Sequence, residues 1–279
     1  MESLKQILFD DSLFFMRQAL LLGILASIPF GTIGSLVVAR RITYLAAAIA
    51  HAVLAGIGFS LYAQSAWQWT WLHPLVGALV TGIMAALLVG WVSLRFKAQE
   101  DTLIGAIWSV GMAIGLLFIF KTPQYIDPMS YLFGDILMIS SVDSALVALL
   151  ALVVVIATII LYRPLVALCF DEEFASLRGV RTTPLYLLTL CLTAVTIVLL
   201  VSIVGIVLVI ALLTLPAAIA SLFSKKLWQM MIGGSVICMI LTALGTCLSY
   251  AWDLPTGPFI ILIAGASYLI TLVLRSRIN

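Results

Sequence analysis

The chain has 279 residues, of which 64% are hydrophobic and 9% are charged, with 14 Lys and Arg against 12 Asp and Glu. Average soluble domains carry about 25% charged residues, so this composition excludes an ordinary soluble protein and indicates several membrane spans. The net charge of +2, without a basic face rich in aromatic residues, gives no indication of nucleic-acid binding. The spans must be helices, because hydrocarbon forces backbone amides to bond within their own segment.

Nine apolar segments approach or exceed the length of about 20 residues that a helix needs to cross a bilayer. In chain order they are 14–39, 43–64, 74–94, 102–120, 142–162, 185–201, 204–222, 227–250 and 256–274. We therefore predict an all-α polytopic membrane protein with eight to nine transmembrane helices. Little sequence remains for a soluble domain, so we predict a single transmembrane domain over residues 1–279.

The positions of Lys and Arg predict the orientation of these helices, because cytoplasmic loops are enriched in both residues. If the loop at Arg40 is cytoplasmic and the spans alternate, only Lys5, Arg17 and Lys121 fall outside. The cytoplasmic side then holds Arg40, Arg41, Arg95, Lys97, Arg163, Arg178, Arg181, Lys225, Lys226, Arg275 and Arg277. This bias predicts an N-terminus outside the cell and a C-terminus in the cytoplasm.

His51 lies in the middle of the second apolar segment, where a polar side chain is costly and therefore marks a functional path by default. On a helix it shares a face with small residues, namely Ala47, Ala48, Ala55 and Gly58. Small residues let another helix approach closely or leave room for an ion. Neutral imidazole is a common ligand of divalent transition metals, so His51 is a candidate metal contact. The alternative is a histidine that donates to a carbonyl of a neighbouring helix.

Three residues near the predicted outer surface are weaker candidates for a vestibule that receives metal. His73 precedes the proline that begins the third segment, and proline at a first helical turn is structurally ordinary. Asp127 and Asp135 follow the fourth segment, in a stretch too short to span, which we expect to lie in the interface or to re-enter. The simpler interpretation of His73 is a residue at the membrane interface, and that of Asp127 and Asp135 is helix capping.

Two glycine patterns predict details of the helix packing. Gly111 and Gly115 form a G-x-x-x-G spacing, which favours close contact between helices. The apolar run 185–222 would measure about 57 Å as one helix, against a hydrocarbon core of roughly 30 Å. We predict a break near Ser202 and Gly205, which gives two helices or one helix plus a re-entrant piece.

The polar stretch 171–179 predicts a short helix between two spans on the cytoplasmic side. Asp171 serves as an N-cap, Phe174 and Leu177 share one face, and Gly179 ends the helix. An isolated helix of two turns is marginal in water, so it must dock on something. Its three acids argue against rest on a bilayer surface, which would favour a basic face. It is therefore a candidate contact for a soluble partner.

Five motifs in this order resemble the permeases of metal-uptake ABC transporters of the ABC-3 type, which serve zinc, manganese and iron. They are R-R-x-x-Y-x-x-x-x-x-A-H-A-x-L-x-G at 40–56, Y-L-F-G-D at 131–135, F-A-x-x-x-G at 174–179, L-P-A-A at 215–218 and D-x-P-x-G-P at 253–258. The resemblance implies a homodimer in the bacterial plasma membrane, two cytoplasmic ATP-binding subunits and an extracytoplasmic metal-binding protein. It implies that the ATPase-coupling helix contains Asp171, Glu172, Glu173, Phe174, Ala175 and Gly179. It also implies that His51 is the intramembrane metal ligand.

The chain departs from this family at Ala47, where many members carry an Asp one turn before the histidine. A carboxylate favours manganese, whereas imidazole alone suits zinc better. We therefore expect zinc as the transported ion, with manganese and iron as the other candidates, and no permanently bound cofactor.

Two other function classes remain as alternatives. An ion-coupled secondary transporter commonly places several charged residues inside the membrane, whereas all twelve acids here fall in loops or at span ends. An intramembrane enzyme is disfavoured, because the sequence has no H-E-x-x-H and no G-x-S-x-G motif. The sequence also has no G-x-x-x-x-G-K-[ST] loop, so an ABC permease would depend on a separate ATPase and is itself no enzyme.

Overall fold

The computed structural model describes residues 14–96, 100–123, 128–134, 141–170 and 172–276, and the regular structure in them consists of twelve α-helices. The first six are α1 (Phe14–Ala39), α2 (Thr43–Ala66), α3 (Pro74–Arg95), α4 (Glu100–Lys121), α5 (Pro128–Phe133) and α6 (Ser141–Ile160). The others are α7 (Tyr162–Phe170), α8 (Glu172–Leu177), α9 (Thr182–Val204), α10 (Ile206–Phe223), α11 (Leu227–Ala251) and α12 (Thr256–Ser276).

Eight of these helices are long and apolar enough to cross a membrane, which confirms the predicted polytopic fold. Residues Val147–Ile160 of α6 and Tyr162–Phe170 of α7 meet at a bend of 73° and together form a ninth candidate span. The nine segments read from the sequence correspond to these elements, within the part of the chain that the structure describes. The side of the membrane that each end faces stays a prediction.

The predicted break in the long apolar run lies at Gly205, which separates α9 from α10. Its φ of 84° is a left-handed conformation that costs a glycine little. A Cβ on Gly205 would lie 2.2 Å from the backbone nitrogen of Gly134, and one on Gly257 would lie 2.5 Å from the Phe133 oxygen. The short helix α5 is therefore seated against the α9–α10 break and the start of α12, and the predicted break is confirmed.

Helix α2 occupies the centre of the bundle and packs against α3, α4, α9 and α10. In α2, 72% of the best apolar window is buried, against 17% in both α4 and α12. The outer faces of the two peripheral helices carry exposed side chains such as Leu117, Phe120 and Leu262. Such faces suit lipid or a second protein chain, whereas α2 is surrounded by its own protein.

Candidate functional site

His51 lies on the face of α2 that packs against α4, about 12 Å along the helix from Thr43 at 1.5 Å per residue. Its ring stacks on the Trp108 ring of α4, with the centroids 4.4 Å apart and the planes 10° from parallel. The histidine is half-buried. This stacking fixes the orientation of the imidazole, because a parallel contact leaves it little freedom to turn about its side-chain bonds.

The Nδ1 atom of His51 is buried and has no hydrogen-bond partner. Among the side chains of the described residues, one other buried polar atom has no hydrogen-bond partner, the Oγ of Ser60, which is also on α2. A buried polar atom without a partner costs about 1–3 kcal/mol, so most such atoms in proteins are paired. The sequence had left open a hydrogen bond from His51 to a helix carbonyl. The buried Nδ1 makes no such bond, so its lone pair or its N–H is available to a ligand.

The contact between α2 and α4, here called the α2–α4 seam, is built from small residues. A Cβ on Gly111 would lie 2.7 Å from the Cα of Ala52, and one on Gly58 would lie 2.3 Å from the Gly115 oxygen. Any side chain at Gly58 or Gly111 would clash with the facing helix, so this close approach requires glycine at both positions. The G-x-x-x-G spacing and the small face of α2 were both predicted to allow close packing, and both predictions are confirmed. The seam holds the His51 side chain between two helices whose backbones almost touch.

The described part of the chain places no cluster of metal ligands around His51. Among the described residues, no group of three or more His, Cys, Asp or Glu side chains is arranged to hold a metal ion. Ala47, one turn before His51, is buried and contributes no donor atom. One imidazole cannot define a structural metal site, which needs about four ligands. The arrangement suits brief contact with a passing ion better than permanent binding.

His73 is separated from His51 and has a local role. It is the N-cap of α3, and its Nδ1 accepts a hydrogen bond from the Leu75 backbone N–H at 3.3 Å. The residue is exposed and lies beside Trp71, which is 70% exposed. The capping contact explains His73, while its role in receiving metal stays a prediction. Asp127 and Asp135 lie outside the described residues.

The short helix predicted at 171–179 is present as α8, with Asp171 outside the described residues. It ends as the sequence predicts. Gly179 has a φ of 80°, and the N–H groups of Gly179 and Val180 donate to the carbonyls of Ser176 and Ala175. This is the Schellman arrangement, which satisfies the last carbonyls of a helix.

One side of α8 is anchored and the other faces outward. Ala175 is fully buried, whereas Phe174 is 51% exposed and Leu177 is 87% exposed. Phe170, at the end of α7, is 73% exposed as well. Large apolar side chains that converge on an exposed short helix are typical of a protein contact. The helix therefore has the form expected of a docking element, and its role as one stays a prediction.

Two residues that bear on this site were not singled out for it by the sequence. Trp108 lies in the middle of a span, whereas tryptophan usually gathers at membrane interfaces, and this position could have marked it. Arg40 was read only as a charge in a loop and a motif. It forms an ion pair with Glu172 of α8, with 3.1 Å between Nη2 and Oε2.

Residues 12–275 match the sequence profile of the ABC 3 transport family. The chain belongs to this family. A Chlamydia trachomatis protein named "Probable metal transport system membrane protein" is 37% identical over 91% of this chain and 87% of its own length. The manganese transport system membrane protein MntC of Listeria monocytogenes is 32% identical over 94% of this chain and 91% of its own length.

A solved structure confirms the fold of this ABC 3 family member. PsaBC from Streptococcus pneumoniae, solved in complex with Fab, has a chain that superposes with a TM-score of 0.84 at 26% identity. The match covers 97% of this chain and 94% of that one. The resemblance read from the motifs is thus confirmed: the protein is a multi-pass membrane permease subunit of a metal ABC transporter.

Proposed function

We propose that this permease carries a divalent first-row transition metal ion into the cytoplasm, and that His51 contacts the ion on its way. Zinc is the preferred ion in this proposal, with manganese and iron as the other candidates. The unpartnered, buried Nδ1 atom of His51 is the observation that carries the assignment. It offers a borderline-soft donor at membrane depth, where an unused polar atom has a cost but no structural benefit.

The choice of zinc rests on the chemistry of the donor. Imidazole without a neighbouring carboxylate suits zinc better than manganese, and Ala47 supplies no carboxylate. Related permeases carry names that specify manganese, so manganese is the principal competitor. A single imidazole also gives a weak site, which is compatible with transport because the ion must leave again.

The partners follow from family membership and from the surface of α8. We propose a homodimer in the bacterial plasma membrane, with two cytoplasmic ATP-binding subunits and an extracytoplasmic metal-binding protein. The exposed Phe174 and Leu177 of α8 would seat in a cleft of the ATPase. A Phe174→Ala variant should then hydrolyse little ATP in response to metal, because the contact that recruits the ATPase is lost.

Uptake of metal by vesicles that contain the permease, its ATPase and its binding protein tests the role of His51. We expect His51→Ala to lower zinc uptake at least tenfold without loss of membrane insertion or complex assembly. Ser109→Ala is the control, since it removes a polar side chain next to Trp108 whose hydroxyl donates to the Gly105 carbonyl within α4, and its uptake should stay close to that of the unmodified protein. Unchanged uptake by His51→Ala would remove the site assignment. Uptake driven by a proton gradient without the ATPase would favour a secondary transporter.

A further inference from the structure

Arg40 is a charged residue in an unusual position. It follows the last residue of α1, in the turn that leads into α2, the helix that carries His51. Its side chain is only 13% exposed, whereas arginine in most proteins keeps its guanidinium in water. A charge so deeply placed must be well paired.

The guanidinium of Arg40 contacts three helices that are distant in sequence. Its Nη1 donates to the Leu168 carbonyl of α7 at 2.8 Å, and its Nη2 donates to the Glu172 carboxylate of α8 at 3.1 Å. Its carbon Cζ lies 4.9 Å from the centre of the Tyr186 ring of α9. Only a planar guanidinium can make directed bonds to two acceptors and stack on an aromatic ring at once.

Two further side-chain hydrogen bonds join other pairs of helices. The Tyr186 hydroxyl donates to Ser93 of α3 at 3.1 Å. The Tyr44 hydroxyl, in the first turn of α2, donates to the Glu100 carboxylate at the start of α4 at 2.7 Å. Helices α2 and α4 are the pair that hold His51 and Trp108. The contacts of Arg40 thus extend through Tyr186 to α3, and a separate hydrogen bond joins α2 and α4, the two walls of the seam.

A cleft of about 300 Å³ opens beside the ion pair and is lined by Arg40, Cys169, Phe170 and Glu172 among others. Phe170 in this lining is exposed, and so is Phe174 on α8. A protein that docks on α8 would therefore press on the segment that holds Glu172, and the Glu172 carboxylate is hydrogen-bonded to Arg40. From Arg40 the displacement reaches α2 directly, because the turn between them is closed by backbone hydrogen bonds such as Ile42 N–H to the Val37 oxygen at 3.0 Å.

We propose that Arg40 is a positioning residue that transmits the movement of α8 to α2, and so sets when His51 can accept and release the ion. The inference rests on the proposed function, in which a partner ATPase moves α8. It assigns to one side chain a task that neither the docking helix nor the histidine performs. Without Arg40 the ATPase would still bind and hydrolyse ATP, but the movement of α8 would no longer reach α2 and His51.

The test measures zinc uptake and ATP hydrolysis in the same vesicles, with permease, ATPase and binding protein present. We expect Arg40→Gln to keep hydrolysis within about twofold while uptake falls at least tenfold, since docking persists and transmission is lost. Arg40→Lys should give an intermediate ratio of uptake to hydrolysis, because lysine can still pair with Glu172 but cannot stack on the Tyr186 ring as a planar guanidinium does. Arg163→Gln is the control, with the same loss of charge on an exposed residue of α7 and an unchanged ratio.

Glu172→Gln provides a second variant that keeps the test decisive if Arg40→Gln fails to assemble. Glu172 is 42% exposed in its side chain, so its replacement should leave the fold intact. It should lower the same ratio, and the double variant should lose no more than Arg40→Gln alone, as expected for one shared interaction. An unchanged ratio in both single variants would overturn the inference. If His51→Ala still abolishes uptake in that case, the proposed function stands without it.

Discussion

The α2–α4 seam and the contacts of Arg40, which join the turn before α2 to α7, α8 and α9, are built on opposite principles. In the seam, glycines bring two backbones together beside one imidazole. The guanidinium of Arg40 instead bonds to Leu168 of α7 and Glu172 of α8 and stacks on the Tyr186 ring of α9. In the seam, the facing helix leaves no space for a larger side chain at these glycines. The Arg40 contacts can break and re-form, which suits an element that must transmit motion.

The largest effect should come from filling the seam. Gly115→Leu places a side chain where a Cβ alone would lie 2.5 Å from the Leu54 backbone, so α2 and α4 would be forced apart. Overpacking of this kind typically costs about 1–3 kcal/mol, and more where backbone must shift. We expect no folded protein in a thermal-stability assay in detergent.

Gly105 of α4 provides the control for that experiment, because nothing lies within 4 Å of a Cβ at this position. Gly105→Leu should unfold at nearly the temperature of the unmodified protein. Equal behaviour of the two variants would show that the close approach of the helices contributes nothing to stability.

A smaller effect should follow from removing the ring that orients His51. Stacking of aromatic rings is worth about 0.5–1.5 kcal/mol, which corresponds to roughly twofold to tenfold in an equilibrium. We therefore expect Trp108→Ala to lower zinc uptake by that factor, and Trp108→Phe to lower it less. Trp91→Ala, which removes an exposed tryptophan from α3, should leave uptake unchanged. Trp108→Ala with full uptake would mean that His51 needs no orientation.

Ala47→Asp should shift the choice of metal rather than the rate alone. It places a carboxylate one turn before His51 on a buried site, which favours manganese and is costly without a cation. We expect the ratio of manganese to zinc uptake to rise severalfold and thermal stability to fall in the absence of metal. Asparagine has nearly the same volume as aspartate but no charge, so Ala47→Asn should leave the ratio of manganese to zinc uptake unchanged. A rise with both variants would refute the electrostatic explanation.

The smallest effect should be found at the end of α8. Gly179 has a φ of 80° and open space around its Cβ position, so a side chain there is limited only by backbone strain. Gly179→Ala should cost about 1 kcal/mol and weaken metal-stimulated ATP hydrolysis slightly. Gly179→Asn should cost less, since asparagine tolerates the left-handed conformation. The opposite order would mean that α8 does not end in this way when the ATPase is bound.

The seam and the helix breaks could be predicted from the sequence because they depend on local patterns. The spacing of Gly111 and Gly115 and the small face around His51 predicted close packing, and Gly205 predicted the break. Periodicity indicates which residues share a face but not which helix covers it, so the partnership of Trp108 with His51 was not foreseen. The Arg40–Glu172 pair joins residues 132 positions apart, and only the fold brings them together. The expectations for Asp127, Asp135 and Asp171 fall outside the described residues.

The central claim, that His51 contacts the transported ion, is tested most directly by X-ray absorption at the zinc edge. The measurement uses the complete transporter after zinc loading and removal of unbound metal. We predict imidazole scattering from a nitrogen at about 2.0–2.1 Å from zinc, retained in His73→Ala and lost in His51→Ala. A spectrum that is the same in His51→Ala as in the unmodified protein would contradict the claim.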